Sequence, residues 1–249
     1  MAKTSKKAKE ARHLTMLYML QGSTEEYIVK YYASKNRNST EGKKYFIPYF
    51  GGFYIAGPLG NNNPKLGKNT LDFALRPVLT CPNSNECRKT CYALKSDRSR
   101  PNVFLKRTIL TWLARHDINL LKDIIIDQLK HVKKKYIRID TAGDIFEQEY
   151  LDMWIEIAKA FPEKFFYGYT KCYHLFDFSE CLKTKNIHFV NSILPNGEKN
   201  FGEEEKIIPL CKKLGVKVCP YRKGHENNKH CMENCFLCAH EMYMGFVEH

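Results

Sequence analysis

The sequence contains no long apolar run. No uninterrupted stretch approaches the roughly 20 residues that a membrane-spanning helix needs, although hydrophobic residues make up 43% of the 249-residue chain. The first residues, MAKTSKKAKEARH, are basic and lack the apolar core of a secretory signal peptide. We therefore expect a globular protein of the cytoplasm with no membrane partner.

A compact set of carboxylates and histidines is also lacking. Hydrolysis by two metal ions needs such a set, so a metal-dependent nuclease is the function that the sequence favours least. Acidic residues are outnumbered, with 27 Asp and Glu against 40 Lys and Arg, and the formal net charge is +13. A positive field attracts polyanions, so nucleic acid or a nucleotide is a candidate partner, although many basic proteins bind neither.

Cysteine is plentiful by contrast. The chain has ten cysteines, and in a reducing compartment clustered cysteines more often bind metal than form disulfides. The first group has the spacing C-x5-C-x3-C and consists of Cys81, Cys87 and Cys91. The second has the spacing C-x11-C-x3-C-x2-C and consists of Cys219, Cys231, Cys235 and Cys238.

Two kinds of metal centre suit these groups. Three thiolates can hold an iron–sulfur cluster with one open iron, or a zinc ion with a fourth ligand from elsewhere. Four thiolates can close a tetrahedral zinc site or hold a four-iron cluster. Of the isolated cysteines, Cys181 and Cys211 lie in predicted helices and are expected in the core, whereas Cys172 follows a predicted strand and has a smaller claim to a site.

Strand and helix alternate five times from Leu71 onward, which predicts an α/β fold with a parallel sheet. A partial or distorted (β/α) barrel and an open doubly wound sheet both fit this order. The predicted domains are an accessory segment at 1–70 with helices and an aromatic hairpin, an α/β core at 71–218, and a cysteine-rich segment at 219–249. The predicted strands are 71–80, 136–140, 164–169, 187–192 and 216–218, and the predicted helices are 13–20, 24–34, 103–132, 147–160, 175–183 and 203–214.

Polar residues follow the predicted strands. The carboxyl ends of parallel strands share one edge of a sheet, where α/β folds bind ligands. Asp144 could offer its carboxylate to an ammonium group or a ribose hydroxyl; alternatively it caps the next helix, with Glu147 three residues on. The candidate cofactor-binding residues at this edge are Gly143, Asp144, Lys171, Asn191 and Ser192.

Cysteines after a first strand and a Gly-Asp element after a second resemble the arrangement in radical S-adenosylmethionine enzymes. The resemblance implies a 4Fe-4S cluster on the first cysteine group and S-adenosylmethionine as a ligand of its open iron. The usual spacing in that superfamily is C-x3-C-x2-C. It occurs here not in the first group but at 231–238.

Several motifs, taken in order, are similar to the gene product 88 family of phages and mobile elements. They are CPNSNECRKTCYALK, IRIDTAGDIFEQEYLDMWIEIAKAFP, FFYGYTK and the closing cysteine group, and they cover about residues 71–239. The resemblance implies a phage, plasmid or integrated-element origin and a metal-binding barrel like that of radical enzymes. It supplies no substrate and no catalytic residues.

Two functions from different classes follow. The first is an iron–sulfur enzyme similar to the radical S-adenosylmethionine group, acting on nucleic acid or nucleotides. The alternative is a zinc-stabilised nucleic-acid-binding protein without catalysis.

Overall fold

The computed structural model describes residues 25–36, 44–60, 63, 66–198, 201–220, 235 and 237–247. The chain divides into two compact units. The first comprises Met1–Leu59 and Ala74–Val132, and the second comprises Gly60–Phe73 and Lys133–His249. Within the described part of the chain, no helix combines the length and the apolar character that crossing a membrane requires.

The first unit begins with a helix and a hairpin. Helix α1 is Glu25–Asn36, and strands β1 (Lys44–Ile47) and β2 (Phe53–Ala56) pair antiparallel. Gly51 and Gly52 have φ values of 83° and 80°, which residues with a Cβ rarely adopt, so they form the turn. The predicted aromatic hairpin is confirmed; the predicted helix at 13–20 lies outside the described residues.

Three further helices lie in the described part of the first unit. After a 3-10 turn at Asn85–Lys89 come α2 (Tyr92–Ser99), α3 (Pro101–His116) and α4 (Ile118–Lys130). Asp117 separates the last two, and its Oδ1 accepts a hydrogen bond from the N–H of Leu120 at 3.0 Å. This side chain caps α4. The sequence predicted either one long helix or a helix pair at 103–132, and the structure has the pair.

The second unit contains an open parallel sheet. Its strands are β3 (Thr70–Asp72), β4 (Tyr136–Arg138), β5 (Phe165–Thr170) and β6 (Ile187–Asn191), hydrogen-bonded in the order β3-β4-β5-β6. Every neighbouring pair is parallel. The α/β prediction is confirmed, but the described residues form no closed barrel. Helix α5 (Gln148–Ala160) follows β4, and α6 (Ser179–Lys183) follows β5.

The first predicted strand is much too long. Strand β3 ends at Asp72, not at Thr80, although the N–H of Phe73 still donates to the carbonyl of Arg138 at 2.9 Å. Residues 77–80 form a turn, in which Val78 has a φ of 71°. The apolar side chains of this stretch are largely buried, as they would be in a strand. The sequence pattern alone therefore could not distinguish the turn from a continued strand.

The predicted fifth strand joins a different sheet. Helix α7 (Glu204–Leu214) ends at Gly215, whose φ is 66°, as predicted. This sheet has the order β7-β9-β8. The C-terminal strand β9 (Met244–Val247) lies in the middle and pairs with β8 (Lys217–Val218) on one side and β7 (Phe201–Gly202) on the other. Strand β9 was not predicted, because its apolar residues are too few to signal a strand without knowledge of their partners.

Candidate functional site

The first cysteine group lies in a loop of consecutive tight turns in the first unit. The N–H of Ser84 donates to the carbonyl of Cys81 at 3.1 Å, and the N–H of Cys87 donates to the carbonyl of Ser84 at 2.7 Å. The N–H of Thr90 donates to the carbonyl of Cys87 at 3.3 Å. Cys91 then immediately precedes α2. Each bond spans three residues, so the three thiols are carried on a tightly turned backbone.

A buried ion network holds the chain just before this loop. Arg76 Nε lies 3.3 Å from Asp97 Oδ2, and Arg107 Nη1 lies 2.7 Å from Asp97 Oδ1. All three side chains are buried. The backbone N–H of Arg76 also donates to Thr111 Oγ1 at 2.8 Å. Because a buried charge is costly without its partner, the network fastens the segment that leads to Cys81 onto α2 and α3.

The thiols of this loop are accessible. Cys87 is exposed, Cys81 and Cys91 are partly buried, and none of the three forms a disulfide with a described residue. Cys91 occupies the N-cap position of α2, whose first turn carries no acidic residue. The donor chemistry of the group therefore suits a thiophilic metal.

The described side chains do not form a closed metal site. Within the part of the chain that the structure describes, no group of three or more His, Cys, Asp or Glu is arranged to hold a metal ion. Cys231 lies outside the described residues. The thiol donors are of a type that fits a metal ion or cluster, but the described side chains are not arranged as a completed site. Both metal sites therefore stay predictions.

The candidate cofactor-binding residues are brought together in the second unit. Gly143 and Asp144 follow β4, and the N–H of Lys171 donates to Asp144 Oδ2 at 3.1 Å. The N–H of Ser192 donates to the carbonyl of Thr170 at 2.7 Å, next to the paired positions Thr170 and Asn191 at the ends of β5 and β6. The predicted gathering of these residues at one sheet edge is thus observed.

Asp144 has a structural task in this arrangement. It is 6% exposed, and its Oδ1 accepts from the N–H of Ile145 at 2.8 Å. Burial raises the pKa of Asp144, while hydrogen bonds from Thr170 and Lys171 oppose the rise. These bonds join the loop after β4 to the end of β5. The capping alternative is wrong, because Glu147 itself occupies the N-cap position of α5.

Asp140 is the residue that the sequence did not single out. It lies two residues beyond β4, is 5% exposed and has a φ of 52°, a left-handed conformation that few non-glycine residues adopt. Its Oδ1 accepts from the hydroxyl of Tyr150 on α5 at 2.9 Å, whereas its buried Oδ2 has no hydrogen-bond partner among the described residues. A half-satisfied buried carboxyl with a strained backbone is typical of functional positions.

Burial gives this carboxyl unusual proton affinity. Burial raises the pKa of Asp140 from 3.8 to about 8, and the nearby Asp144 charge adds to the rise. The hydrogen bond from Tyr150 and the positive charge of Arg138 act in the opposite direction. At neutral pH Asp140 is largely protonated, so the group can supply a proton at Oδ2 or ionise when a cation approaches. The sequence signal was only a polar residue at the end of a buried strand.

Two thiols of the second cysteine group share one apolar cluster. Cys238 is 6% exposed and packs with Val190 and Met244, and Cys219 packs against the same cluster. The hydroxyl of Tyr169 donates to Cys238 Sγ at 3.1 Å. Cys235 is partly buried. The cluster places Cys219 and Cys238 beside β5 and β6.

The isolated cysteines are core residues. Cys172, Cys181 and Cys211 are all buried, as expected for the latter two. Burial raises the pKa of the Cys181 thiol to about 12, which leaves it protonated and unreactive at neutral pH. A Cβ on Gly245 would clash with Sγ of Cys211, so this sulfur fills the space between α7 and β9.

These features define an α/β protein whose parallel sheet has a polar edge and whose chain carries two thiol-rich segments. The chain belongs to the gene product 88 family, since the sequence model of that family matches residues 55–228. The match includes the first cysteine loop, the polar sheet edge and Cys219, and it ends before the last three cysteines of the second group. Comparison with curated proteins and with solved structures finds no significant match.

Proposed function

We propose that this phage-type protein is an iron–sulfur protein similar to radical S-adenosylmethionine enzymes, with the cluster held by the first cysteine loop. The observation that carries the proposal is the contrast among its cysteines. Cys81, Cys87 and Cys91 are partly or fully exposed on a turn-rich loop, whereas Cys172 and Cys181 are buried in the core. Accessible, closely spaced thiols beside a helix N-terminus suit metal ligation better than packing.

The protein's own groups would have distinct roles. A three-thiolate cluster with an open iron supplies one-electron chemistry when bound. The Arg76–Asp97–Arg107 network fixes the start of the loop, and completing the site requires the three sulfurs to move towards one another. In the second unit, Gly143, Asp144, Lys171, Asn191 and Ser192 form the proposed surface for S-adenosylmethionine or substrate. Asp140, on which the Asp144 charge acts, would be its proton-carrying group.

A basic chain suggests the substrate class. The formal net charge is +13, and Lys133 and Lys135, which precede β4, are exposed. We propose a nucleic acid or nucleotide as substrate. Binding of a single-stranded oligonucleotide should then weaken steeply as salt rises, because counterions are released on binding; salt-insensitive binding or no binding would remove this part of the proposal.

Anaerobic purification followed by iron, sulfide and zinc analysis tests the main proposal. We expect about four iron atoms per loop-bound cluster and thiolate-to-iron absorption in the visible range. Cys87→Ser should lower the iron content and the absorption, while the matched variant Cys181→Ser at a buried thiol should leave both unchanged.

Two results would contradict the proposal. Equal iron content in the two variants would show that the first cysteine loop does not hold the cluster. A colourless wild-type protein that carries zinc would replace the proposal with the zinc-stabilised nucleic-acid-binding alternative.

A further inference from the structure

Helix α2 and the turn before it expose a dense set of cations together with one aromatic ring. Tyr92, the first residue of α2, is 69% exposed. The only acidic residue between positions 88 and 100 is Asp97, and it is buried. The exposed cations of the same stretch are Arg88, Lys89, Lys95, Arg98 and Arg100.

The inner side of α2 is fastened to the first unit. Asp97 is 3% exposed and pairs with Arg107 Nη1 at 2.7 Å. The same nitrogen donates to the carbonyl of Ala93 at 3.3 Å and to Ser96 Oγ at 3.3 Å. Because these contacts anchor α2 from within, its outer side chains project from a fixed backbone.

The outer side of α2 is formed by Tyr92, Lys95 and Arg98. Successive members of this set are three residues apart, so they are neighbours on the helix surface, with about 5–6 Å between their Cβ atoms. We call this set the α2 face. All three side chains are exposed, so the α2 face offers two positive charges and a ring to a partner.

The charges of the α2 face are not neutralised by neighbouring carboxylates. Exposed lysines on other helices do have such neighbours, in the pairs Lys30–Glu26, Lys183–Glu180 and Lys206–Glu203. In the part of the chain that the structure describes, Lys95 and Arg98 form no ion pair of this kind. Uncompensated cations on a fixed surface attract phosphate groups.

The aromatic ring selects among the partners that carry phosphates. A helix that lies on a lipid surface needs a broad apolar face next to its cations, but the buried residues of α2, Ala93 and Asp97, face the protein interior. Tyr92 is the only aromatic residue of the α2 face. A single exposed ring between cations suits unpaired bases, which stack on aromatic side chains while the cations contact the backbone.

We propose that the α2 face binds single-stranded nucleic acid, with Lys95 and Arg98 on phosphates and Tyr92 stacked on an unpaired base. The inference deepens the proposed nucleic-acid substrate and rests on it, but it does not depend on the cluster. Since Cys91 immediately precedes Tyr92, the bound strand would lie next to the first cysteine loop.

Fluorescence anisotropy of the full chain with a labelled single-stranded DNA oligonucleotide tests the role of the cations. The variant carrying both Lys95→Gln and Arg98→Gln should bind about 25-fold more weakly at 0.1 M salt, and its plot of log affinity against log salt should be shallower by about 1.4, because each phosphate contact contributes about 0.7 to that slope for a single strand. The matched control carries Lys122→Gln and Lys130→Gln on α4 and should keep the wild-type slope.

The role of the ring has a different signature. Tyr92→Leu should weaken binding about 5- to 150-fold, which corresponds to the loss of one stacked base, but should leave the salt slope unchanged because no charge is removed. Tyr27→Leu is the control, since Tyr27 on α1 is also exposed, at 49%. It should bind the oligonucleotide as the wild type does.

Several outcomes would overturn the inference. Equal losses in the α2 variants and their controls would show a diffuse electrostatic attraction, and an unchanged affinity in the α2 variants would place the strand elsewhere. Tighter binding of duplex than of single-stranded DNA, or binding only to vesicles of anionic lipid, would assign the α2 face to another partner.

The proposed function can fail separately. If the wild type binds no oligonucleotide, both this inference and the proposed nucleic-acid substrate are wrong. If the wild type binds it and the α2 variants bind equally well, only this inference is wrong. Iron analysis of the same samples decides the cluster proposal independently of either result.

Discussion

The stability of the Asp140→Asn variant relative to the wild type should increase as the pH rises. Asparagine has nearly the same shape, tolerates the left-handed conformation that Asp140 adopts with a φ of 52°, and can accept the hydrogen bond from Tyr150. It cannot ionise. The wild-type carboxyl, by contrast, must either lose its proton in a buried site or hold it at a pH where the unfolded chain would release it.

The size of the effect follows from the pKa. Because the folded pKa of Asp140 is raised from 3.8 to about 8, the folded protein binds one more proton than the unfolded chain between these values. The contribution of the protonated Asp140 carboxyl to wild-type stability is therefore fully present below about pH 4, and it falls until the pH passes 8. About three pH units separate 3.8 from 7, so the loss at pH 7 is about 4 kcal/mol at most.

Urea unfolding at several pH values measures this prediction. The free energy of unfolding of Asp140→Asn minus that of the wild type should rise by a few kcal/mol between pH 4 and 7. Any fixed cost of burying the amide cancels in this slope. Asp123→Asn, at an exposed position on α4, is the control and should show no such slope. A flat difference for Asp140→Asn would refute the assignment of a proton-holding carboxyl.

Two further predictions concern packing. Asp97→Ala should destabilise the first unit by about 3 to 5 kcal/mol in urea unfolding, because it leaves Arg76 and Arg107 without their buried partner; a loss below 1 kcal/mol would show that the network is well solvated. Gly168→Ala should lower the melting temperature and cost about 1 to 3 kcal/mol, since its Cβ would clash with the buried ring of Phe189. An unchanged melting temperature would mean that the ring has room to move.

Local patterns were sufficient for the helices and the hairpin. Helix α5 begins within one residue of its prediction, because Leu151, Trp154, Ile155 and Ala158 repeat with the helical period. Gly215 ends α7 as expected, since its left-handed conformation is a property of the residue itself. The donor types of the cysteine groups and the choice of Asp144 and Lys171 as neighbours at a sheet edge also followed from order along the chain.

Long-range pairing decided what the sequence could not. Strand β3 is short because the pairing with β4 covers only Thr70–Asp72, and β9 is a strand because β7 and β8 pair with it. Neither fact is visible in the residues of the strand itself. The same holds for Asp140, whose proton affinity comes from burial, and for Tyr169, whose contact with Cys238 spans 69 positions.

By itself, then, the amino-acid order determined the helices, the turns and the kinds of ligand atom that the protein offers. Those properties depend on each residue and its near neighbours. Tertiary structure alone decided strand partners, the burial of individual carboxyls and thiols, and the hydrogen bond between Tyr169 and Cys238. Each of these depends on groups that are distant in the chain and meet only when it folds.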